Sequence, residues 1–298
     1  MSQNSHNLST LAVEDNQSSL RTNVPPARTK LARYALLGLP VDALSKDDLV
    51  ELVAETVREG KSCVIGNHNL HSLYAAQHEP RMREFYAQAD FVHVDGMSLV
   101  LLGRLLGLPL RRRDRTGYMD LLPSLLRRAV TSGWRIFYLG SKPGVAEKGA
   151  AFLRAQHPGL QIVTRDGYFD TASGSAQNQE VLDAIRAFAP HILLVGMGMP
   201  RQETWILDNR RSLAANAIFC CGALIDYVAG EIPTPPRWMG QIGFEWLYRL
   251  LAEPRRLGSR YLVEPWFVLK IVLKELFKPV RDAAPADGAP ADSEGPVS

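Results

Sequence analysis

Short apolar runs alternate with segments of helical spacing along most of this chain, and this alternation limits the folds it can adopt. Strands are predicted at residues 34–39, 62–66, 91–94, 134–139, 161–165, 192–195 and 217–221. Helices are predicted between them at 49–59, 70–88, 98–106, 121–131, 145–156, 180–188 and 203–209. Strands that alternate with helices at this pace favour a parallel sheet covered on both faces. We therefore predict an α/β, Rossmann-like fold with a mainly parallel sheet and a C-terminal helical appendage.

Composition divides the chain into four segments. Residues 1–30 are rich in Ser, Asn, Gln and Thr, and residues 282–298 form an acidic Ala/Pro/Gly/Asp tail, so both are predicted to be disordered. Residues 31–240 form the predicted α/β domain. Residues 241–281 form a predicted basic amphipathic appendage, since the stretch from Glu231 to Arg281 holds nine Lys and Arg against five Glu.

Charge, cysteine usage and hydropathy exclude several classes of protein. The net charge of +3 is too small to predict nucleic-acid binding. Cys63, Cys220 and Cys221 lie in apolar runs without metal-ligand spacing, which is typical of reduced core residues in a cytoplasmic protein. No N-terminal signal segment is evident, and no apolar run approaches the roughly 20 residues that a membrane span needs. We expect a cytoplasmic protein that does not span a membrane.

Residues 192–205 (ILLVGMGMPRQETW) predict a strand, a tight glycine turn and the start of a helix. Gly196 and Gly198 permit close approach of a ligand, and the amides at a helix N-terminus attract anions such as a nucleotide phosphate. An ordinary βα turn is the alternative. A dinucleotide oxidoreductase is disfavoured, because the turn lacks a third glycine and no acidic residue lies near Asn216, about 20 residues further on.

Three other features could carry chemistry. The turn at 140–144, which begins at Gly140, is a second candidate phosphate cradle. Asp95 ends a predicted strand and is followed by Gly96, so its carboxylate could act as a general base or simply cap a loop. Four arginines could bind diphosphate by bidentate hydrogen bonds or form a solvated basic face: Arg249, Arg255, Arg256 and Arg260.

The segment 261–277 predicts an amphipathic basic helix. Trp266, Leu269, Leu273 and Leu276 fall on one face, and the lysines at 270, 274 and 278 fall on another. This pattern suits the surface of an anionic membrane. The alternative is a helix that packs on the protein's own core with its lysines in water.

Several motifs in order resemble those of the WecG/TagA/CpsF glycosyltransferases, glycosyltransferase family 26, over about residues 34–261. They are residues 95–96 (DG), 195–203 (VGMGMPRQE), 221–226 (CGALID) with Gly230, 236–239 (PRWM), 245–250 (EWLYRL) and 253–256 (EPRR). Residues 67–73 (NHNLHSL) are most similar to the GumM branch, which adds a glucose in exopolysaccharide assembly.

The resemblance implies an inverting transferase that moves a hexose from a UDP-sugar to a sugar on a polyprenyl diphosphate. It further implies a peripheral position at the cytoplasmic membrane face, an appendage that reaches the anionic membrane, and catalysis without a metal ion or other cofactor. No metal-binding Asp-x-Asp signature is present. By the matching motif, Asp95 is the expected catalytic base and Asn69 the polar contact to sugar.

The remaining site residues follow from the same motifs and from electrostatic stabilisation of the departing UDP. Gly196, Gly198, Arg201 and Gln202 are expected on the nucleotide side. The four arginines from Arg249 to Arg260 could meet either diphosphate. Further substrate-binding candidates are Asn67, Gly96, Gly140, Glu203, Gly222 and Asp226.

Departures from the family pattern leave the donor sugar open. Asn67 stands where the family has threonine, Thr234 stands where it has arginine, and the segment 116–120 is one residue longer than its Thr-Gly-Ser-Asp counterpart. We expect UDP-glucose, with UDP-N-acetylmannosamine as the alternative within the family. The alternative that is not an enzyme is a scaffold that binds the nucleotide sugar without turnover. The sequence also leaves open whether the protein forms a homo-oligomer.

Overall fold

Six parallel strands form the central sheet of the computed structural model, which describes residues 32–234, 239, 245–252 and 254–276. They are β3 Cys63–His68, β4 Phe91–Val94, β5 Arg135–Gly140, β6 Gln161–Arg165, β7 Ile192–Gly196 and β8 Ala217–Cys220, numbered after a preceding two-stranded hairpin. Their order across the sheet is β4-β3-β8-β7-β5-β6. The predicted α/β, Rossmann-like fold is confirmed.

Helices cover both faces of this sheet, and each face has its own apolar core. The helix bounds are α1 Lys46–Arg58, α2 Leu70–His78, α3 Pro80–Gln88, α4 Met97–Leu105, α5 Tyr118–Ser132, α6 Val145–Gln156, α7 Ala176–Phe188, α8 Arg201–Asn209 and α9 Leu224–Val228. One core joins the sheet to α2, α3, α4, α7 and α8, and the other joins it to α1, α5, α6 and α9. Because β5, β7 and β8 are buried on both faces, they are apolar along nearly their whole length, whereas the edge strand β6 is only partly buried.

Two elements of the predicted α/β domain are each divided in the structure for local reasons. The strand predicted at 34–39 is instead an antiparallel hairpin of β1 (Arg33–Leu36) and β2 (Leu39–Asp42), which turns at Leu37 and Gly38. The helix predicted at 70–88 is interrupted at Glu79, since proline disfavours a helical conformation in the residue before it and favours the first turn of a new helix.

Three C-terminal helices follow: α10 (Glu245–Ala252), α11 (Pro254–Leu262) and α12 (Glu264–Leu276). The helix predicted at 261–277 is divided at Val263, and its last residue lies outside the described residues, as do the predicted tails at 1–30 and 282–298. The domain boundary at residue 240 stays a prediction.

One face of α12 packs against α2, although the two helices are far apart in sequence. Glu264 is buried, and both its carboxylate oxygens lie 2.9 Å from Nδ1 of His71. The Phe267 ring makes an edge contact with Tyr74 at 5.2 Å between centroids, and Val268 and Val272 are buried. The appendage therefore contacts the helix that begins directly after β3. Within the described ranges, no helix is both long and apolar enough to cross a membrane.

Candidate functional site

Two topological switch points lie at the carboxyl edge of the sheet. From β4 the chain enters α4 on one face, whereas from Arg115, which forms a parallel bridge with Val94 of β4, it enters α5 on the other face. In the same way α8 follows β7 on the first face and α6 follows β5 on the second. Ligands of open α/β sheets bind in the crevices at such points. We call the first the Asp95 end and the second, together with the turn after β8, the glycine-turn end.

Asp95 immediately follows β4 and belongs to the Asp95 end. Its backbone N–H donates to the carbonyl of His68 at the end of β3, over 2.9 Å. A Cβ added at Gly117 would lie 3.3 Å from Asp95 Oδ1 and 3.2 Å from Arg115 Nη2. The carboxylate and the guanidinium thus border the same small space, which the side-chain-free Gly117 keeps open. The acidic group predicted as a base therefore lies where a switch point places ligand chemistry.

Asn67 and His93 are paired residues in the register of β3 and β4, so their side chains are neighbours beneath this end of the sheet. Both are buried, and the His93 ring lies 5.5 Å from the ring of Tyr118 on α5. Asn67 Oδ1, both ring nitrogens of His93 and the Tyr118 hydroxyl have no hydrogen-bond partner among the described residues. Sequence reasoning missed His93 and Tyr118, although His93 stands two positions before Asp95 and therefore points to the same face.

Asn69 caps helix α2. Its side-chain oxygen accepts from the Ser72 N–H over 3.0 Å, while Ser72 Oγ accepts in turn from the Asn69 N–H, also over 3.0 Å. This reciprocal pair satisfies amides that would otherwise lack a partner at the helix start. Gly96 similarly occupies the N-cap position of α4. The expected contact of Asn69 with the sugar stays a prediction. The capping hydrogen bonds fix the position of its side chain at the start of α2.

Close backbone packing defines the glycine-turn end. Gly140 and Gly196 are partners in the register of β5 and β7, and a Cβ on Gly140 would overlap the carbonyl of Gly196. A Cβ on Gly196 would overlap the Tyr138 hydroxyl and lie 2.6 Å from the Gly222 carbonyl. Only glycine fits at either position, so these residues shape the floor of the crevice.

Side chains tie the turns of this end together. The Ser141 hydroxyl donates to Asp226 Oδ1 over 2.7 Å, which links the turn after β5 to α9. Gln202, buried at the start of α8, accepts from the N–H groups of Gly198 and Gly222 over 3.2 and 3.1 Å. Sequence reasoning named Asp226 but missed Ser141, whose signal was its place directly after Gly140.

Arg201 is anchored above this end. Its Nη2 donates to the carbonyl of Phe169 over 2.7 Å, and its guanidinium carbon lies 5.8 Å from the centre of the Phe169 ring. Arg255 lies on α11 with an exposed side chain. The side chains of Arg249, Arg256 and Arg260 lie outside the described part of the chain.

Burial sets the ionisation of the titratable groups under the site. It lowers the pKa of His68 to about 3 and that of His93 to about 4, so both rings are neutral at physiological pH. Burial also raises the pKa of Glu203 to about 7. Raised pKa values keep Tyr86, Tyr118 and the three buried cysteines in their protonated forms. In the described residues, no group of three or more His, Cys, Asp and Glu side chains is arranged to hold a metal ion.

Comparison with protein-family models identifies one matching description. Residues 34–282 match the model described as "Glycosyl transferase WecG/TagA/CpsF family". The matched region includes both ends of the site and the helices α10 to α12. It covers well over half of the chain, which is sufficient to assign the family.

Proposed function

Because the chain belongs to the WecG/TagA/CpsF glycosyltransferase family, we propose that it transfers glucose from UDP-glucose to a sugar on a polyprenyl diphosphate during exopolysaccharide assembly. Family membership establishes glycosyl transfer from a nucleotide sugar. The donor, the acceptor and the pathway are our proposal. The observation that carries it is the position of Asp95 at one switch point and of the paired glycines at the other.

The separation of the two ends suits a nucleotide sugar. Three strand spacings separate β4 from β7, which corresponds to roughly 14 Å at about 4.8 Å per strand. A nucleotide whose diphosphate lies over the glycine turns can therefore direct its sugar towards Asp95. Ser141, Asp226 and Arg201 supply hydrogen-bonding groups on the nucleotide side.

Asp95 then acts as the general base. Its carboxylate takes the proton of the acceptor hydroxyl, whose oxygen attacks the anomeric carbon from the side opposite UDP. The bond from that carbon to the UDP oxygen breaks, the electron pair leaves with the diphosphate, and the configuration is inverted. Arg201 and the arginines of α10 and α11 are the candidates to offset the charge on UDP, so we propose that transfer needs no metal ion or other cofactor.

The exposed face of α12 supports an acceptor held in the membrane. Trp266 is 71% exposed, and Leu269 and Leu273 are 43% and 44% exposed, while the opposite face packs on α2. Lys270 and Lys274 are also exposed. Apolar side chains flanked by lysines favour an anionic membrane surface. We therefore propose a peripheral location at the cytoplasmic membrane face, with the acceptor delivered to the Asp95 end.

The test is transfer to polyprenyl-diphosphate-linked glucose, with UDP-glucose and UDP-N-acetylmannosamine offered separately in the presence of EDTA. The mass of the lipid product is determined by mass spectrometry. We expect a gain of one hexose. A gain of N-acetylhexosamine would overturn the choice of donor. Binding of UDP without product from either donor would favour a non-catalytic scaffold, and product that forms only without EDTA would overturn metal independence.

A further inference from the structure

A single side chain connects the turns after β7 and β8. The side-chain oxygen of Gln202 accepts from the N–H of Gly198 and from the N–H of Gly222, over 3.2 and 3.1 Å. The residue is only 2% exposed, so these two bonds are shielded from water. The relative position of two turns at the glycine-turn end therefore depends on the orientation of one carboxamide.

Glu203 fixes that orientation. Its Oε1 accepts from Nε2 of Gln202 over 2.8 Å. A carboxamide has a donor end and an acceptor end, so an acceptor that holds the nitrogen directs the oxygen the opposite way, towards the glycine amides. Glu203 thus acts on Gly198 and Gly222 through its neighbour rather than by direct contact.

The burial of Glu203 is costly and calls for a role other than packing. The residue is 1% exposed, and its second oxygen has no partner among the residues that the structure describes. The titratable groups that influence it electrostatically are Tyr86 on α3, Tyr118 on α5, Cys220 on β8 and Cys221 directly after it, none of which is a cation. An apolar side chain of similar volume would fill this space at a lower desolvation cost.

We propose that Glu203 is a positioning residue for the nucleotide sugar, because it holds the Gln202 carboxamide in the orientation that joins the turns at Gly198 and Gly222. This inference rests on the proposed function only for the identity of the ligand. The effect on the two turns is a property of the protein alone. A contribution of this kind alters binding of the nucleotide more than the chemical step.

The experiment compares Glu203→Leu, which removes the acceptor, with Glu203→Gln, which keeps one. Glu180→Leu, at an exposed position on α7, is the matched control. Hydrogen exchange followed by mass spectrometry reports on the amides of Gly198 and Gly222. Steady-state kinetics with UDP-glucose separate KM from kcat. For Glu203→Leu we expect about tenfold faster exchange at both glycines and about a tenfold higher KM, with kcat changed by less than about threefold.

A double-mutant cycle tests whether Glu203 acts through Gln202. In a Gln202→Leu background, Glu203→Leu should add no further increase in KM, because the group it positions is gone. Glu203→Gln should recover most of the lost affinity. Should Glu203→Leu fail to fold, Glu203→Met provides a flexible apolar substitute of similar size.

The outcomes separate this inference from the proposed function. The positioning role would be overturned if Glu203→Leu had the same exchange rates and the same KM as the control. It would also be overturned if Glu203→Gln were as impaired as Glu203→Leu. Additive effects in the cycle would also overturn it. If exchange changes as expected while the wild-type protein binds no UDP, the effect of Glu203 on the two turns stands, whereas the proposed function and UDP-sugar as the ligand are overturned.

Discussion

The two ends of the site are built in different ways. At the Asp95 end, polar side chains follow or underlie β3 and β4, and several of their buried atoms have no partner among the described residues. At the glycine-turn end, the backbone itself forms the surface: Gly140 and Gly196 are packed so closely that no side chain fits. A side chain at the Asp95 end can be replaced without moving the backbone. A side chain added at one of the packed glycines would displace the backbone around it.

This difference predicts different responses to substitution. Changes at the Asp95 end should affect the reaction and leave the fold intact, because they alter a charge on a supported strand end. Changes at the glycine-turn end should affect stability and nucleotide binding together. The proposed division of labour, with the base at one end and the nucleotide at the other, can therefore be tested one residue at a time.

The largest effect is expected for Asp95→Asn. Loss of the general base should lower kcat by about 10²–10⁴-fold, since the amide cannot take the proton from the acceptor. The rate of transfer to the lipid-linked acceptor measures this effect. Asp183→Asn, on the exposed surface of α7, is the control and should transfer at the wild-type rate. A rate for Asp95→Asn equal to that of the control would remove Asp95 from the mechanism.

The next largest effect is expected for Gly196→Ala. The added methyl group would overlap the Tyr138 hydroxyl, so we expect a loss of about 3 kcal/mol in the free energy of unfolding. Urea denaturation measures it. Gly258→Ala is the control, because this helical glycine of α11 has open space around it and alanine favours a helix. Equal stability of the two variants would show that the close approach at Gly196 is not a constraint.

Glu203 offers a test that depends on pH. Its pKa of about 7 in the folded protein lies above that of an exposed glutamate, so the folded protein binds this proton more tightly than the unfolded chain. Stability from this group is therefore complete at low pH and falls as the pH rises through 7. The free energy of unfolding of Glu203→Gln minus that of wild type should therefore increase by roughly 2 kcal/mol from pH 5 to pH 8.

The measurement is urea denaturation of both proteins at several pH values. Wild type and Glu203→Gln share the buried His68 and His93, whose lowered pKa values destabilise both proteins equally as the pH falls below about 6.5. The difference between the two curves thus isolates Glu203. A difference independent of pH would show that Glu203 is ionised in the folded protein with an ordinary pKa.

The smallest effect is expected at the surface of α12. Trp266→Ser should weaken sedimentation with anionic vesicles and raise the KM for the lipid-linked acceptor by about tenfold, because one exposed apolar anchor is lost. Phe152→Ser is the control, since Phe152 is similarly exposed on α6. If both variants bind vesicles as wild type does, the exposed face of α12 is not the membrane contact.

The sequence predicts elements well where the signal is local. Helix α6 begins and ends at the predicted residues, and so does β6, because apolar spacing and flanking glycines mark them. The hairpin at Leu37 and Gly38 was wrongly predicted as one strand, since its two strands lie within a single apolar run. Helix α9 was not predicted, since it is only five residues long.

The site is predictable to the extent that topology alone determines it. Polar residues after parallel strands must gather at one edge, which explains why Asp95 and Asn67 could be named from sequence, whereas Asp226 was named only from the family motif. Contacts between residues far apart in sequence have no such signal. The pairing of His71 with Glu264 on α12 joins residues 193 positions apart and follows only from the three-dimensional packing.

The most direct test of the two-ended site is the affinity for UDP of Asp95→Asn and Gly196→Ala, measured side by side by titration calorimetry on folded protein. We predict that Asp95→Asn binds UDP within about twofold of wild type, while Gly196→Ala binds at least about tenfold more weakly. Loss of UDP affinity in Asp95→Asn as large as that in Gly196→Ala would contradict the separation of base and nucleotide.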